Sequence, residues 1–295
     1  MNLIMYKTKL FKLSFAVALF AISFNGTAQI NTPAPSPAGS VSATVGLTEI
    51  EINYSRPQMK GRKIFGDSDA LVPNGQLWRA GANAGTTVKF SDDVKIAGQD
   101  LAAGEYLFLA TPGASEWEVV FYSDISLGGN VSAYDDSKAA LKAKVKSSKL
   151  TETVGTLTYN ISEISENSEN ANIQLAWENT AVNVPVQVSF DETVMKAIAE
   201  NTVVNPRNLM TAARYYLSAD KDLNQALAWV NTYLATGDNS TQFWNVHVKA
   251  QILAKQGNKK EAIKVAKESM AAAKAFEGGD FGYIKRNEDL IASLK

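Results

Sequence analysis

Two hydrophobic periods divide the chain. From about Val41 to Phe190 apolar and polar residues alternate. Ile50, Ile52 and Tyr54 interleave with Glu49, Glu51 and Asn53. Thr86–Phe90, Tyr106–Thr111 and Trp117–Tyr122 are short β-branched or aromatic runs. Leu157, Tyr159 and Ile161 alternate with polar residues, as do Ile173, Leu175 and Trp177, and then Val182, Val184, Val186 and Val188. Turn-forming clusters separate the runs: Ala97-Gly98-Gln99-Asp100, Pro112-Gly113, Gly128-Gly129-Asn130 and Ser165 to Asn170. Period two, frequent turns and no helical spacers predict an antiparallel β-sandwich or barrel over 41–190.

After Phe190 the period becomes helical. Asp191 suits an N-cap before Glu192–Asn201, and Pro206 opens a helix reaching about Ser218. Leu223, Ala226, Leu227, Val230 and Leu234 form one stripe, ended by Gly237. Phe243, Val246, Ala250, Leu253 and Ala254 form a second, ended by Gly257. A third runs from Ala262 to Ala273, and Ile284–Leu294 reads as a last short helix. Asp222 to Leu227 aligns with Asn258 to Ile263, which resembles the tetratricopeptide helix pair; its first-helix signature residues are out of register. The fold class expected is therefore α+β, with a helical hairpin region over 191–295. A plain helical bundle is the alternative.

The N-terminus reads as an address. Lys7, Lys9 and Lys12 precede the apolar run Leu13–Phe24, and Gly26 and Ala28 place small residues before a cut at Ala28-Gln29. Residues 1–28 are thus expected to be a signal peptide, and the mature chain periplasmic or extracellular. No later run is long enough to span a bilayer. Residues 29–40 contain NTPAPSPAGS, which predicts a proline-rich tether.

Composition then removes chemistry. The 295 residues include no cysteine and one histidine, His247. Thiol nucleophiles, disulfides and multi-histidine metal sites are excluded, and a serine triad would have to run through His247. That residue lies beside a helical apolar stripe and reads as a packing residue. Without residues 1–28 the chain carries 26 basic and 30 acidic residues, a poor balance for nucleic acid. Residues 29–190 carry net −6 and residues 191–295 net +2. No catalytic residue, cofactor or metal is called for, and oligomeric state is not readable.

Candidate sites fall in loops. Gly61–Gly66 has phosphate-loop spacing, but Asp67-Ser68 follows where lysine is needed. Asp67 with Asp69, Asp92 with Asp93 and Asp135 with Asp136 are acidic pairs at turns, where turn formation is the simpler role. Lys142, Lys144 and Lys146 alternate with Leu141, Ala143 and Val145, as on an edge or solvent-facing strand; an anion-binding strip is the other reading. The denser signal runs from Tyr54 to Phe90. It is irregular, rich in glycine, and supplies Arg56, Lys60, Arg62, Trp78, Arg79, Asn83 and Thr86. Arginine forks suit carboxylates, phosphates or sugar hydroxyls, and tryptophan can stack on a sugar or anchor a partner. Equally, Trp78 can cap the core while Arg79 and Asn83 bond loop carbonyls.

The segments YSRPQMKGRKIFG, LVPNGQLWRAGANAGTTVKFSDDV, LAAGEYLFLATP and WEVVFY resemble an uncharacterised family of exported bacterial proteins, domain of unknown function 2911, over about Ser36 to Phe190. Its SRP-x-x-KGR pattern maps onto Ser55, Arg56, Pro57, Lys60, Gly61 and Arg62. Its WR-x-GAN-x-x-T pattern maps onto Trp78, Arg79, Gly81, Ala82, Asn83 and Thr86, while Asn74 stands where an aromatic residue is expected. The resemblance implies an exported β domain and no established activity. The expectation is a non-catalytic binding or interaction protein of the cell envelope, whose loop residues Arg56 to Thr86 meet an anionic, carbohydrate or protein ligand and whose helices supply a second protein-contacting surface. The alternatives are a purely structural envelope component and a histidine-independent hydrolase of glycans using Asp67, Asp69, Asp92 or Glu105.

Overall fold

The computed structural model describes residues 32–202 and 205–295. The signal-peptide expectation falls on residues outside these. The chain divides into two compact units, meeting between Val188 and Ser189.

The first unit is an antiparallel sheet. Its strands are β1 (Ala38–Val45), β2 (Thr48–Ser55), β5 (Thr86–Phe90), β6 (Val94–Ile96), β7 (Gln99–Leu101), β8 (Gly104–Thr111), β9 (Glu116–Tyr122), β10 (Ala139–Ser162) and β11 (Asn170–Val188). Their order is β1-β2-β5-β8-β9-β10-β11-β6-β7, and the sheet does not close into a barrel. A two-residue parallel pair, β3 (Phe65–Gly66) and β4 (Val72–Pro73), stands apart.

The sheet folds over at β10. Residues Ala139–Lys146 pair with β9, whereas Ser147–Ser162 pair with β11. The alternating patterns around Leu141 and Leu157 therefore belong to one bent strand, and those around Ile173 and Val184 to another. The register slips between Lys149 and Thr158, and Glu178 opposite adopts φ 55°. The slipped segment, 149–158, contains one glycine, Gly155, and no proline. Folding over brings Tyr159 edge-on to Tyr54 and Phe108, at 4.9 and 6.0 Å between ring centres. The core between the layers is the period-two set: Ile50, Ile52, Val88, Phe90, Phe108, Phe121, Leu157, Ile173 and Leu175 are all buried.

β1 starts at Ala38, inside the segment expected to be a tether. Pro37 is held there because its carbonyl accepts the Arg56 N–H at 2.8 Å.

The second unit contains α1 (Asp191–Asn201), α2 (Arg207–Ser218), α3 (Leu223–Leu234), α4 (Phe243–Lys255), α5 (Lys259–Ala275) and α6 (Tyr283–Leu294). Asp191 is the first residue of α1, not its cap. Its carboxylate is taken by the Tyr215 hydroxyl and by Lys221. Asp222 does cap α3, accepting from the N–H groups of Asn224 and Gln225, whereas Asn258 makes no such bond at α5. The central helix is α4. Val248 and Ile252 pack with Met210, Ala213, Ala226 and Val230 of α2 and α3. Ala250 and Leu253 pack with Ala262, Val265 and Ala266 of α5. A stripe read on one face was thus half of a helix buried on two.

Candidate functional site

The loop residues Arg56 to Thr86 come together, and their polar groups are directed at the chain itself. Lys60 and Gly61 both have positive φ (50° and 70°), the pattern of a type I′ turn, and Arg62 N–H closes it on the Met59 carbonyl. Arg62 then donates from Nε to Met59 O (3.0 Å) and from Nη2 to Gln58 O (2.7 Å). Arg56 reaches β10, donating to Leu157 O (3.4 Å) and Thr158 Oγ1 (3.2 Å). Backbone bonds from Met59 N to Gly155 O and from Leu157 N to Pro57 O lay the same segment along the bulged part of β10. The irregular stretch is a splint on the bend.

The second pattern is a knot around one carbonyl. Trp78 pairs with Ala110 through both backbone groups, and its Nε1 donates to Gly81 O at 3.2 Å. Its ring stacks on Trp177 and meets Phe65 and Trp117 edge-on. Arg79 donates from Nη1 to Gly129 O (3.0 Å), while its Nε is buried without a partner. Asn83, at φ 55°, donates to Ser36 O and Ser55 Oγ. The Ala80 carbonyl accepts the Thr86 hydroxyl at 2.9 Å and the Tyr159 hydroxyl at 2.7 Å. Ala80, Thr86 and Tyr159 are all buried, and burial pushes the Tyr159 hydroxyl up, so it stays a donor. Glycine is required where this knot is tight: a Cβ on Gly129 would lie 2.1 Å from Asn83 O. Of the seven loop residues, Lys60 and Arg62 are the two basic side chains left exposed.

The acidic candidates serve turns. Asp69 pairs with Lys63, whose hydrogen bond holds that carboxyl below the ordinary range. Asp92 accepts from Ser91, and Asp93 from the Ala103 N–H. Asp135 accepts from Ser137, and Asp136 from Tyr134 and Lys142; both carboxyls are lowered by these bonds. A glycosidic general acid needs the opposite shift. Lys142 and Lys144 pair with Asp136 and Glu116, on the solvent side of β10, with Leu141, Ala143 and Val145 buried behind them. Among the described residues no group of three or more His, Asp or Glu could hold a metal ion, and no helix is long and apolar enough to cross a membrane.

A second candidate lies in the helical unit, where the sequence reading expects a protein-contacting surface and names no residue for it. Arg214 of α2, His247, Val248 and Gln251 of α4, and Tyr283, Arg286, Asp289, Leu290 and Ser293 of α6 line a cleft of about 590 Å³. Such a volume is typical of ligand clefts. His247 is the end of a buried polar chain. Ser269 Oγ donates to Phe243 O, and Asn287 Nδ2 donates to Ser269 Oγ (2.9 Å) and Tyr283 O (2.8 Å). Asn287 Oδ1 is thereby left to accept from His247 Nδ1–H at 2.7 Å. The neutral ring presents an unprotonated Nε2, which has no hydrogen bond among the described residues. Burial holds His247 below its ordinary value against the Asn287 bond, and Arg286 and Arg214 push it further down.

The charges in this cleft are unevenly used. Every ion pair among the described residues has a lysine as its cation. Asp289 pairs with Lys285. Arg214 donates to the neutral Asn245 amide at 2.6 Å, and Arg286 lies 4.8 Å over the Tyr283 ring. Neither guanidinium has a carboxylate partner.

Residues 36–186 match the model of a family described as a protein of unknown function, DUF2911. No curated protein and no solved structure matches the chain.

Two outcomes follow from this geometry. Gly129→Ala must displace the Asn83 backbone and should lower the urea midpoint of the β unit, at a cost of about 2 kcal/mol or more. Gly155→Ala, with open space around its Cβ and no positive φ, should leave the midpoint within about 0.5 kcal/mol of wild type. Equal midpoints for both would contradict the knot. For His247, whose folded form binds its proton less readily than the unfolded chain, stability is full above the ordinary histidine range and falls as pH drops through it. Thermal melts between pH 7.5 and 5.5 should show a shallower loss in His247→Gln than in wild type.

Proposed function

The chain belongs to the DUF2911 family, and on that premise we propose that it is an exported, non-catalytic interaction protein of the cell envelope. Its β unit is a braced scaffold, and its helical unit engages the ligand. One observation carries this reading. The loop arginines Arg56, Arg62 and Arg79 spend donors on carbonyls or a hydroxyl of the chain, whereas at an open cleft Arg286 makes no side-chain hydrogen bond among the described residues, Arg214 makes one, to the Asn245 amide, and neither pairs with a carboxylate. A donor already bonded to its own backbone must break that bond to bind, which costs roughly what the new bond returns. Arg286 has no such bond to break, and Arg214 keeps donors beyond the one given to Asn245.

The loop set remains part of the proposal in a narrower form. Arg56, Trp78, Arg79, Asn83 and Thr86 brace the scaffold. Lys60 and Arg62, at the tip of an exposed turn, are its surface members. Export rests on Lys7, Lys9, Lys12 and the apolar run to Phe24. An envelope partner of opposite charge suits a cationic cleft.

The experiment compares immobilised wild-type protein, the Arg214→Gln/Arg286→Gln pair and Arg62→Gln in retaining proteins and glycans of an envelope extract. Retention should fall at least tenfold in the cleft pair and stay within twofold in Arg62→Gln. Loss confined to Arg62→Gln would return the ligand to the loops, and equal retention by all three would remove both sites. Fractionation should place the mature chain outside the cytoplasm, beginning at Gln29.

A further inference from the structure

The cleft of the helical unit has a ligand chemistry that can be read from its walls, granted that it is the binding surface. Arg214 and Arg286 come from different helices and both lack a carboxylate partner. A guanidinium offers a planar pair of donors that fits a carboxylate better than a spherical ion. Between them the histidine is fixed as an acceptor. Its Nδ1–H is committed to Asn287, so Nε2 can take a hydrogen bond from an N–H or O–H of the ligand. The remaining lining includes Val248 and Leu290, apolar surface that a bare inorganic anion would leave unused.

The apolar surface continues beyond the cleft. Tyr283 meets His247 on one side and Phe243 on the other, with ring centres 5.4 and 5.5 Å apart. Phe243 in turn is stacked by Phe281 and met by Phe276. These last two sit in the glycine-rich connection between α5 and α6, and are exposed to 63% and 46%. Phe281 is also held at φ 48°, a conformation a bulky residue rarely adopts. Exposing two phenylalanines beside a cationic cleft, one of them at a conformational cost, is surface kept for contact.

We propose that this cleft binds an acidic peptide segment: carboxylate side chains on Arg214 and Arg286, a backbone N–H on His247 Nε2, and a neighbouring apolar residue on the Phe276–Phe281–Tyr283 rim. The groups acting on the imidazole are Asn287, Arg286 and Arg214, with Tyr283 edge-on to the ring; Asp289 also lines the cleft and is paired with Lys285. A polyanion without apolar side chains would use the arginines and leave the rim wet. A neutral apolar peptide would leave the arginines unmatched.

The single histidine makes the test direct, because every imidazole signal of the full mature chain comes from His247. The probe is an N-acetylated, C-terminally amidated peptide of alternating leucine and glutamate, six residues long. Its glutamine counterpart, sodium glucuronate and inorganic phosphate are compared with it. The glutamate peptide should shift the His247 ring signals saturably, at least tenfold more tightly than its glutamine counterpart. Arg286→Gln, whose side chain makes no hydrogen bond or ion pair among the described residues and only lies over the Tyr283 ring, should weaken binding at least tenfold with little change in melting temperature. Arg214→Gln, which also removes the bond to Asn245, should weaken binding at least tenfold with a lowered melting temperature, and Phe281→Ala should weaken it about threefold. No shift with the glutamate peptide, or binding unchanged in Arg286→Gln, would overturn the proposal. So would glucuronate or phosphate binding as tightly as the peptide. If the peptide fails while envelope retention still depends on Arg214 and Arg286, the ligand class is wrong and the cleft stands. If neither depends on them, the cleft itself is refuted.

Discussion

The carbonyl of Ala80 receives two hydroxyls, one from six residues away and one from across the fold. Thr86 closes the loop that follows Trp78, and Tyr159 arrives from the second half of β10. A buried carbonyl with no donor costs about 1–3 kcal/mol, so both hydroxyls are held to their places. Tyr159 packs at once against Tyr54 and Phe108, which belong to the first layer of the sheet. The bond therefore couples loop conformation to the folding-over of the whole sheet. Arg56 and the Pro57–Met59 backbone splint the same strand one turn of the bend away. Arg56, Trp78, Arg79, Asn83 and Thr86, read as binding residues, make their hydrogen bonds within this corner.

This explains how far the fold was legible. Period two located β2 and β5 because each has one buried face and side chains on a strand alternate, whereas β8 and β9 showed as continuous apolar runs because both their faces are buried. It did not reveal that four predicted strands are two. The alternation lapses between Lys146 and Leu157 without a proline, and pairing to β9 gives way to pairing to β11 inside one continuous strand, so the lapse reads as a turn between two strands. The helices were legible by their stripes, but α4 read as one-sided because Val248 and Ile252 sit off the stripe begun at Phe243. Residue type alone suggests Asp191 as a cap, but its carboxylate is held by Lys221 and Tyr215 instead.

The site was legible in a more limited sense. Arginine, tryptophan, asparagine and glycine in an irregular segment predict many polar contacts, and those contacts exist. Composition cannot tell whether the acceptor is a ligand or the chain's own carbonyl. The helical cleft was missed for a related reason. Arg214 and Arg286 lie 72 residues apart and are ordinary solvated charges in the sequence. Only the packing of α2 and α6 against α4 places them around one histidine. Its isolation in the composition was the signal available, and its position on an apolar stripe pointed towards packing. Both are true: Nδ1 is packing and Nε2 is free. Bracing and binding are thus assigned to different units, and the distinction rests on which donors are spent.

A double-variant cycle on the shared carbonyl measures that expenditure most directly. Tyr159→Phe and Thr86→Val each leave Ala80 O one donor; together they leave it none. The account predicts that urea unfolding of the double variant loses more stability than the two single losses combined, by about 1 kcal/mol or more. Additive losses, agreeing within about 0.5 kcal/mol, would contradict it and show that the loop is not held by this bond.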